Sequence, residues 1–125
     1  MSAEGSKMLE QITYKGMTYN IVKFGLVSDF WRQHPTKQEV PDLESPDEEQ
    51  VAICTTWLKV HAKSRKTVNN RPGFGSYSLK HMVEHEVEQH VTNGAFILAV
   101  YRLGYEVIPD GLRNPNAHFK ASFTF

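Results

Sequence analysis

The chain has 125 residues, of which 40% are hydrophobic, and its 14 basic and 14 acidic side chains cancel. A chain of this length is expected to form a single domain, residues 1–125, and zero net charge excludes a strong overall field toward nucleic acid or a membrane. The one cysteine, Cys54, excludes an internal disulfide. Because the sequence also lacks a signal-peptide pattern and a membrane-spanning window, a cytoplasmic protein without membrane contact is expected.

The N-terminal part is predicted to contain a hairpin and a short helix. Residues 1–8 are small and polar, and they are expected to be disordered. Between residues 11 and 22, β-branched and aromatic side chains lie on both sides of Lys15-Gly16, which predicts a β-hairpin with this pair in its turn. Ser28-Asp29 is then expected to cap a short helix over residues 30–34.

A long loop and a long helix are predicted next. Residues 35–47 contain three prolines and several acids, so they are expected to form a surface loop. Ser45 and Glu48 have the spacing of a capping box, which predicts Ser45 as the N-cap of a helix. Apolar spacings of three and four predict its inward face: Val51, Cys54, Trp57, Leu58 and His61.

Two more helices are predicted in the second half. Residues 63–75 are polar and punctuated by glycine and proline, and they are expected to form a second long loop. One helix is predicted from a cap at Ser76 to about Gln89. Another is predicted over residues 94–103, with Thr92 or Asn93 as its cap and Gly104 at its end.

The strand signals in this half set the fold class. Residues 105–108 are predicted to form a strand, and alternation of apolar and polar side chains over residues 118–125 predicts a C-terminal strand. The expected fold is therefore α+β, with about three main helices packed on a small, mostly antiparallel sheet.

The two consecutive helices invite comparison with helix-turn-helix DNA-binding proteins. A helix that reads bases needs an outward row of polar side chains, whereas residues 95–100 are all apolar. Such a helix is typical of a protein core or of a two-fold interface. Base reading by this helix is therefore not expected, and a homodimer is one alternative.

Four segments carry a resemblance: Ser76-Tyr77-Ser78-Leu79-Lys80-His81, Val91-Thr92-Asn93-Gly94-Ala95-Phe96, Gly104-Tyr105 and Asn116-Ala117. Through them the C-terminal half resembles small uncharacterised proteins of phages, plasmids and genomic islands. The resemblance brings no catalytic residues. It implies a mobile-element origin, in which short accessory proteins often bind DNA or disable a host defence complex.

The charges of the chain are segregated. Every charged residue between Val51 and Val83 is basic: Lys59, Lys63, Arg65, Lys66, Arg71 and Lys80. The charged side chains of residues 39–49, just before, are all acidic. Amides and aromatic rings within the basic stretch suit contacts with nucleic acid. An acidic protein partner is one alternative, and a solvated loop whose charges are balanced by the nearby acids is another.

A candidate anion site lies at the end of this stretch. Gly75 and Ser76 lead into a predicted helix, whose free amides favour an anion, and Arg71 and Lys80 are expected to flank it. The glycines do not have the spacing of a phosphate-binding loop or a dinucleotide-binding motif.

The histidines and acids of the predicted helix 76–89 give weaker signals. His81 and His85 can share a zinc ion on one helix face, but no further ligand follows at a suitable spacing. A solvated face is expected instead, with no metal and no cofactor. Glu86 and His90 fall on the apolar stripe, so Glu86 is expected to pair with His90 or a nearby arginine. If both are exposed, this face is where a partner docks.

Catalysis has little support in the sequence. Cys54 and His61 share a helix face, but a buried helical thiol is ordinarily a small hydrophobe. Glu86 and His90 have neither a nucleophile nor an oxyanion donor beside them. No catalytic residue is assigned, and a binding protein is expected.

Two hypotheses of function follow. The first is a non-enzymatic accessory protein of a mobile element that binds nucleic acid through the basic loop. The alternative is an inhibitor of a host defence complex, of anti-CRISPR or anti-restriction type, that binds protein through the acidic segment 39–49. Exposed aromatic side chains are its candidate anchors: Phe30, Trp31 and Phe74.

Overall fold

The computed structural model describes residues 9–37 and 39–125. The disorder predicted for residues 1–8 lies outside them. The described residues form four helices and two small antiparallel sheets of three strands each, with 35% helix and 28% strand. The prediction of an α+β fold is therefore confirmed.

The first sheet is an antiparallel meander. Its strands are β1 (Gln11–Tyr14), β2 (Met17–Val22) and β3 (Gly25–Ser28). Both residues of the β1–β2 turn, Lys15 and Gly16, have positive φ, at 50° and 80°. This is the backbone that a two-residue hairpin turn requires, and the predicted hairpin is confirmed.

Helix α1 (Asp29–Gln33) follows β3 directly. The Ser28 hydroxyl accepts a hydrogen bond from the Trp31 amide at 2.9 Å, which confirms Ser28 as the cap. Residues 35–37 and 39–47 contain no helix or strand, as predicted for this loop.

Helix α2 (Glu48–His61) begins later than predicted. Its N-cap is Asp47, whose carboxylate accepts from the amides of Glu49 and Gln50 at 2.8 and 3.3 Å. The prediction of Ser45 as the cap was therefore wrong, because an aspartate closer to the first turn satisfies the free amides. The inward face is confirmed for four of its five residues, which are buried: Val51, Cys54, Trp57 and Leu58.

The prediction of a loop over residues 63–75 was wrong for most of that segment. Residues Ala62–Asn69 form strand β4, and only residues 70–75 remain a loop. Small and charged side chains on β4 give no alternating pattern. The strand forms because its partner strand supplies the buried face and the hydrogen-bonding ladder.

Helix α3 (Ser76–Val87) is capped by the backbone of Gly75, and no side chain bonds to its first amides. Ser76, the predicted cap, is instead the first helical residue. Glu88 adopts the left-handed conformation, with φ at 55°, and ends the helix before Gln89.

Helix α4 (Asn93–Arg102) has the predicted cap, because the Thr92 hydroxyl accepts from the Ala95 amide at 3.2 Å. All residues from Asn93 to Val100 are buried within the chain, and the helix contacts α2, α3 and strands of both sheets. Of the two alternatives for this helix, core and two-fold interface, the structure shows core.

The second sheet contains the C-terminal strand. It consists of β4, β5 (Val107–Pro109) and β6 (Ala117–Phe123), with β6 in the centre. Alternate residues of β6 are buried, so the predicted period of two is confirmed. The strand predicted over residues 105–108 starts two residues later, at Val107.

Candidate nucleic-acid interface

Strand β4 lies at the edge of the second sheet. It pairs with β6 on one side, and its other edge has no strand partner among the residues that the structure describes. Lys63 and Lys66 are exposed and Arg65 is half-buried, while Arg71 is exposed in the loop that follows. Four of the six predicted basic residues therefore belong to one strand and its exit loop.

A bulge interrupts strand β4 at two of its cations, Arg65 and Lys66. Ser64 pairs with Ala121 and Asn69 with Phe119, so residues 65–68 of β4 lie opposite one residue of β6. The Asn69 amide closes the bulge by donating to the Ala121 carbonyl at 3.0 Å. Because the extra residues have no ladder partners, β4 departs from a regular strand at Arg65 and Lys66.

The acids that precede the basic stretch do not neutralise it. Glu44 pairs with Lys23 at 3.7 Å, Glu48 pairs with Arg102 at 2.7 Å, and Asp47 caps α2. Within residues 9–37 and 39–125, no carboxylate forms an ion pair with the cations of β4 and its exit loop. These acids therefore form no direct pairs with the cations of β4 and its exit loop, three of which are exposed to solvent.

The outward face of the sheet beside β4 is also polar. Lys63 lies directly opposite Ser122, and the half-buried Lys120 projects from the same face of β6. Lys120 pairs with Glu106 at 3.2 Å. The surface that a ligand of β4 meets is thus hydrophilic.

The predicted anion site is not assembled. Lys80 is only 6% exposed, and its ammonium contacts the Glu84 carboxylate at 3.2 Å rather than joining Arg71. The Ser76 hydroxyl accepts a hydrogen bond from the Ala117 amide at 3.1 Å, and His118 lies against Gly75. Lys80 is therefore a structural residue and not part of the basic surface. Lys59, exposed on the last turn of α2, lies on a different element from the β4 cations.

Glu84 is the acceptor at the centre of this buried pair. Besides Lys80 it accepts from His90 Nδ1 at 2.6 Å and from the Val91 amide at 3.1 Å, and His81 Nδ1 lies 2.9 Å away. Burial pushes the pKa of Glu84 upward, but the hydrogen bonds from Val91, Lys80 and His90 outweigh it and hold the pKa below its ordinary value. Glu84 thus fixes the end of α3 against the start of α4.

The expected pairing of Glu86 with His90 was wrong. The helix ends before His90, which turns back to Glu84. Glu86 instead accepts from the Trp57 indole at 2.5 Å, and its carboxylate lies 3.4 Å from the His61 ring. Both predicted residues have exposed side chains, 55% for Glu86 and 68% for His90.

An aromatic cluster lies beside this glutamate, and its members are far apart in the sequence. The rings of Trp57, His61 and Phe125 lie 4.4–5.9 Å apart, centroid to centroid. Phe74 also belongs to the cluster, with its ring centroid 6.0 Å from that of Phe125. These residues come from α2, the 70–75 loop and the C-terminus, so the only available signal was the spacing of Trp57 and His61 on one helix face.

The proposed protein-docking anchors are mostly covered. Trp31 is 1% exposed and packs with Val22 and Val27 in a core of its own, so its prediction as an exposed anchor was wrong. Phe74 is half-buried against Phe123 and Phe125. Phe30 is also half-buried, beneath the Arg113 guanidinium at 4.8 Å.

The remaining candidate groups are accounted for by packing. Cys54 is fully buried, and burial raises the pKa of its thiol to about 12, so the thiolate is absent near neutral pH. No group of three or more His, Cys, Asp or Glu side chains in the described part of the chain is placed to hold a metal ion. Nor is any helix in that part long and apolar enough to cross a bilayer.

The fold and the surface define an α+β protein with a basic edge strand beside an aromatic cluster. No family model matches the chain, and comparisons with curated proteins and with solved structures give no significant match.

Proposed function

We propose that the chain binds nucleic acid by contacting phosphates with the cations of β4 and its exit loop: Lys63, Arg65, Lys66 and Arg71. The observation that carries this proposal is the absence of described carboxylate partners for these four side chains on an unpaired sheet edge. When such cations neutralise phosphates, the counterions condensed on the nucleic acid are released. This release supplies most of the non-specific affinity for nucleic acid. The zero net charge of the whole chain does not oppose this, because charges beyond about 10 Å are largely screened at physiological salt and the nearby cations set the local field.

The arrangement favours backbone contact over sequence reading. Helix α4, the second helix of the pair, is buried over Asn93–Val100 and has no free polar row for base edges. Binding is therefore expected to tolerate many sequences, as phosphate contacts carry no sequence information.

The test is a fluorescence-anisotropy titration of the full chain with short labelled single strands and duplexes. Four phosphate contacts to a single strand predict a slope of about −2.8 for log affinity against log salt, so raising salt fourfold weakens binding about 50-fold. The triple variant Arg65→Ala/Lys66→Ala/Arg71→Ala is expected to lose most affinity and to reduce the slope to about −0.7.

A matched control separates local contact from net charge. The triple variant Lys15→Ala/Lys23→Ala/Arg32→Ala removes the same number of positive charges from the side chains around the first sheet and α1. It is expected to bind within about twofold of wild type, because only screened long-range attraction is lost. Equal losses in the two triple variants contradict a β4 interface. No binding at low salt removes the proposal and directs attention to a protein partner, such as a host defence complex.

A further inference from the structure

A second feature beside β4 is an open pocket between α2, α3 and the C-terminus. Six residues line it: His61, His81, Met82, His85, Glu86 and Phe125. Its volume is about 520 Å³, which is within the usual range for small-molecule sites and exceeds what one planar ring requires. Most of the lining is apolar or aromatic, and none of these residues is needed for the phosphate contacts proposed above.

The Phe125 ring gives this pocket a rigid stacking face. Phe125 is 64% exposed although it is a large apolar side chain. The ring has three aromatic neighbours, with Trp57 at 5.9 Å, His61 at 5.8 Å and Phe74 at 6.0 Å between centroids. An aromatic ring that is held by neighbours and open to solvent is a platform for another planar ring.

Polar groups at the pocket supply partners for the edge of such a ring. Glu86 Oε2 is used by the Trp57 indole and lies near His61, whereas Glu86 Oε1 has no hydrogen bond within residues 9–37 and 39–125. Its side chain is 55% exposed, so this oxygen can accept from an N–H group of a ligand. The exposed imidazoles of His81 and His85 add groups that donate or accept according to tautomer.

The pocket is continuous with the basic strand. His61 is the last residue of α2 and precedes β4 directly, and its carbonyl and ring bond to the Thr124 amide and carbonyl at 2.9 and 2.7 Å. On the other side, the Phe74 amide donates to the Arg71 carbonyl at 3.1 Å, which places a phosphate-binding cation three residues from the cluster. Lys63 lies two residues after His61 and Arg71 three residues before Phe74, so both cations belong to segments that adjoin the aromatic cluster.

We infer that this pocket holds an unpaired base of a single-stranded nucleic acid, stacked on Phe125, while the β4 cations hold the phosphates on either side. The inference rests on the proposed function and narrows it to single strands, because a base within a duplex cannot reach the Phe125 ring without leaving its stack. A base on a phosphate backbone offers a ring to the apolar pocket and phosphates to the nearby cations. An apolar peptide offers nothing to those cations, so it fits this surface less well.

The test compares an oligothymidine strand with a strand of the same length that carries abasic sites, at one low salt concentration. Stacking of one base is expected to make wild type bind oligothymidine about tenfold more tightly than the abasic strand. Phe125→Ala is expected to abolish this preference and to leave affinity for the abasic strand unchanged. Phe125→Trp retains a stacking face and the preference, and Phe24→Ala, which removes another exposed phenylalanine, is the matched control.

The outcomes separate the two proposals. Equal affinity of wild type for the two strands overturns the base pocket and leaves the phosphate interface intact. Binding of neither strand overturns both and leaves the pocket to a protein partner. Trp57 fluorescence gives a readout without any variant: oligothymidine should change its emission and the abasic strand should not. Trp31, buried in a separate cluster, supplies a constant background.

Discussion

Among the glycines that the structure describes, Gly94 has the closest backbone neighbour, and this predicts the effect of one added methyl group. A Cβ atom on Gly94 would lie 1.6 Å from the Val22 carbonyl oxygen and 2.7 Å from that of Lys23. Real Cβ contacts are essentially never shorter than 3.0 Å, so Gly94→Ala requires the Val22 oxygen to withdraw by at least 1.4 Å, the difference between 3.0 and 1.6 Å. This movement also breaks the hydrogen bond from the Gly94 amide to Lys23, which is 3.0 Å long.

The magnitude follows from three terms. Overpacking costs about 1–3 kcal/mol, and the lost hydrogen bond costs about 1 kcal/mol more. Alanine gains about 1 kcal/mol over glycine within a helix. Gly94→Ala is therefore expected to lower the free energy of unfolding by about 1–3 kcal/mol, a substantial share of the 5–15 kcal/mol usual for a domain.

Urea unfolding followed by circular dichroism measures this difference. Gly111→Ala is the matched control, because its nearest neighbour, Asn114 Cβ, lies at an ordinary 3.6 Å and its φ is not positive. It should stay within about 0.5 kcal/mol of wild type. If Gly94→Ala unfolds at the same urea concentration as Gly111→Ala, α4 does not pack against the β2–β3 turn as described.

Three further predictions concern buried and capping groups. Glu84→Gln is expected to lose about 2 kcal/mol at pH 7 by weakening the bond to buried Lys80. Because the pKa of Glu84 in the folded state lies below 4.5, its stabilising contribution is present above pH 4.5. The difference in unfolding free energy between wild type and Glu84→Gln should shrink as the pH falls below that value. Urea unfolding at pH 7 and pH 3 tests this. The Cys54 thiol, with a pKa of about 12, should resist a thiol reagent at pH 8 until urea unfolds the chain, and rapid labelling of the native protein would contradict its burial. Asp47→Ala should cost about 1 kcal/mol in thermal unfolding and Ser45→Ala a few tenths at most, whereas the reverse order would restore Ser45 as the cap.

The sequence correctly predicted the turns, caps and strands that are determined by neighbouring residues. The Lys15-Gly16 turn, the Ser28 and Thr92 caps and the alternation of β6 each depend on residues within a few positions of one another, and the structure contains all of them. Strand β4 was missed because its cause is distant. Its side chains have no period of two, and residues some 60 positions later supply its ladder, as in the pair Lys63 and Ser122.

The contrast between local and distant causes also applies to the two parts of the candidate interface, the β4 cations and the aromatic pocket. The cations of β4 are close in sequence, so their charge pattern was visible, but their lack of carboxylate partners depends on distant pairs such as Glu44 with Lys23. The aromatic pocket joins α2, α3 and the last residue, Phe125. No spacing along the chain can indicate that Glu86 and Phe125 meet beside Trp57, because three-dimensional packing alone brings them together.

The segments for which the sequence suggested a resemblance to mobile-element proteins have structural roles. Asn93 Nδ2 lies 3.1–3.2 Å from the carbonyls of Phe24 and Pro115 and from the side-chain oxygen of Asn116, and the Ser76 hydroxyl accepts from the Ala117 amide. With Gly94 against the β2–β3 turn, these contacts join α3, α4 and both sheets. A likeness confined to such residues predicts a shared fold and says nothing about a shared partner. The proposed interface residues Lys63, Arg65, Lys66, Arg71 and Phe125 all lie outside those segments. A relative with the same fold but without these cations is therefore expected to lack the binding activity proposed for this chain.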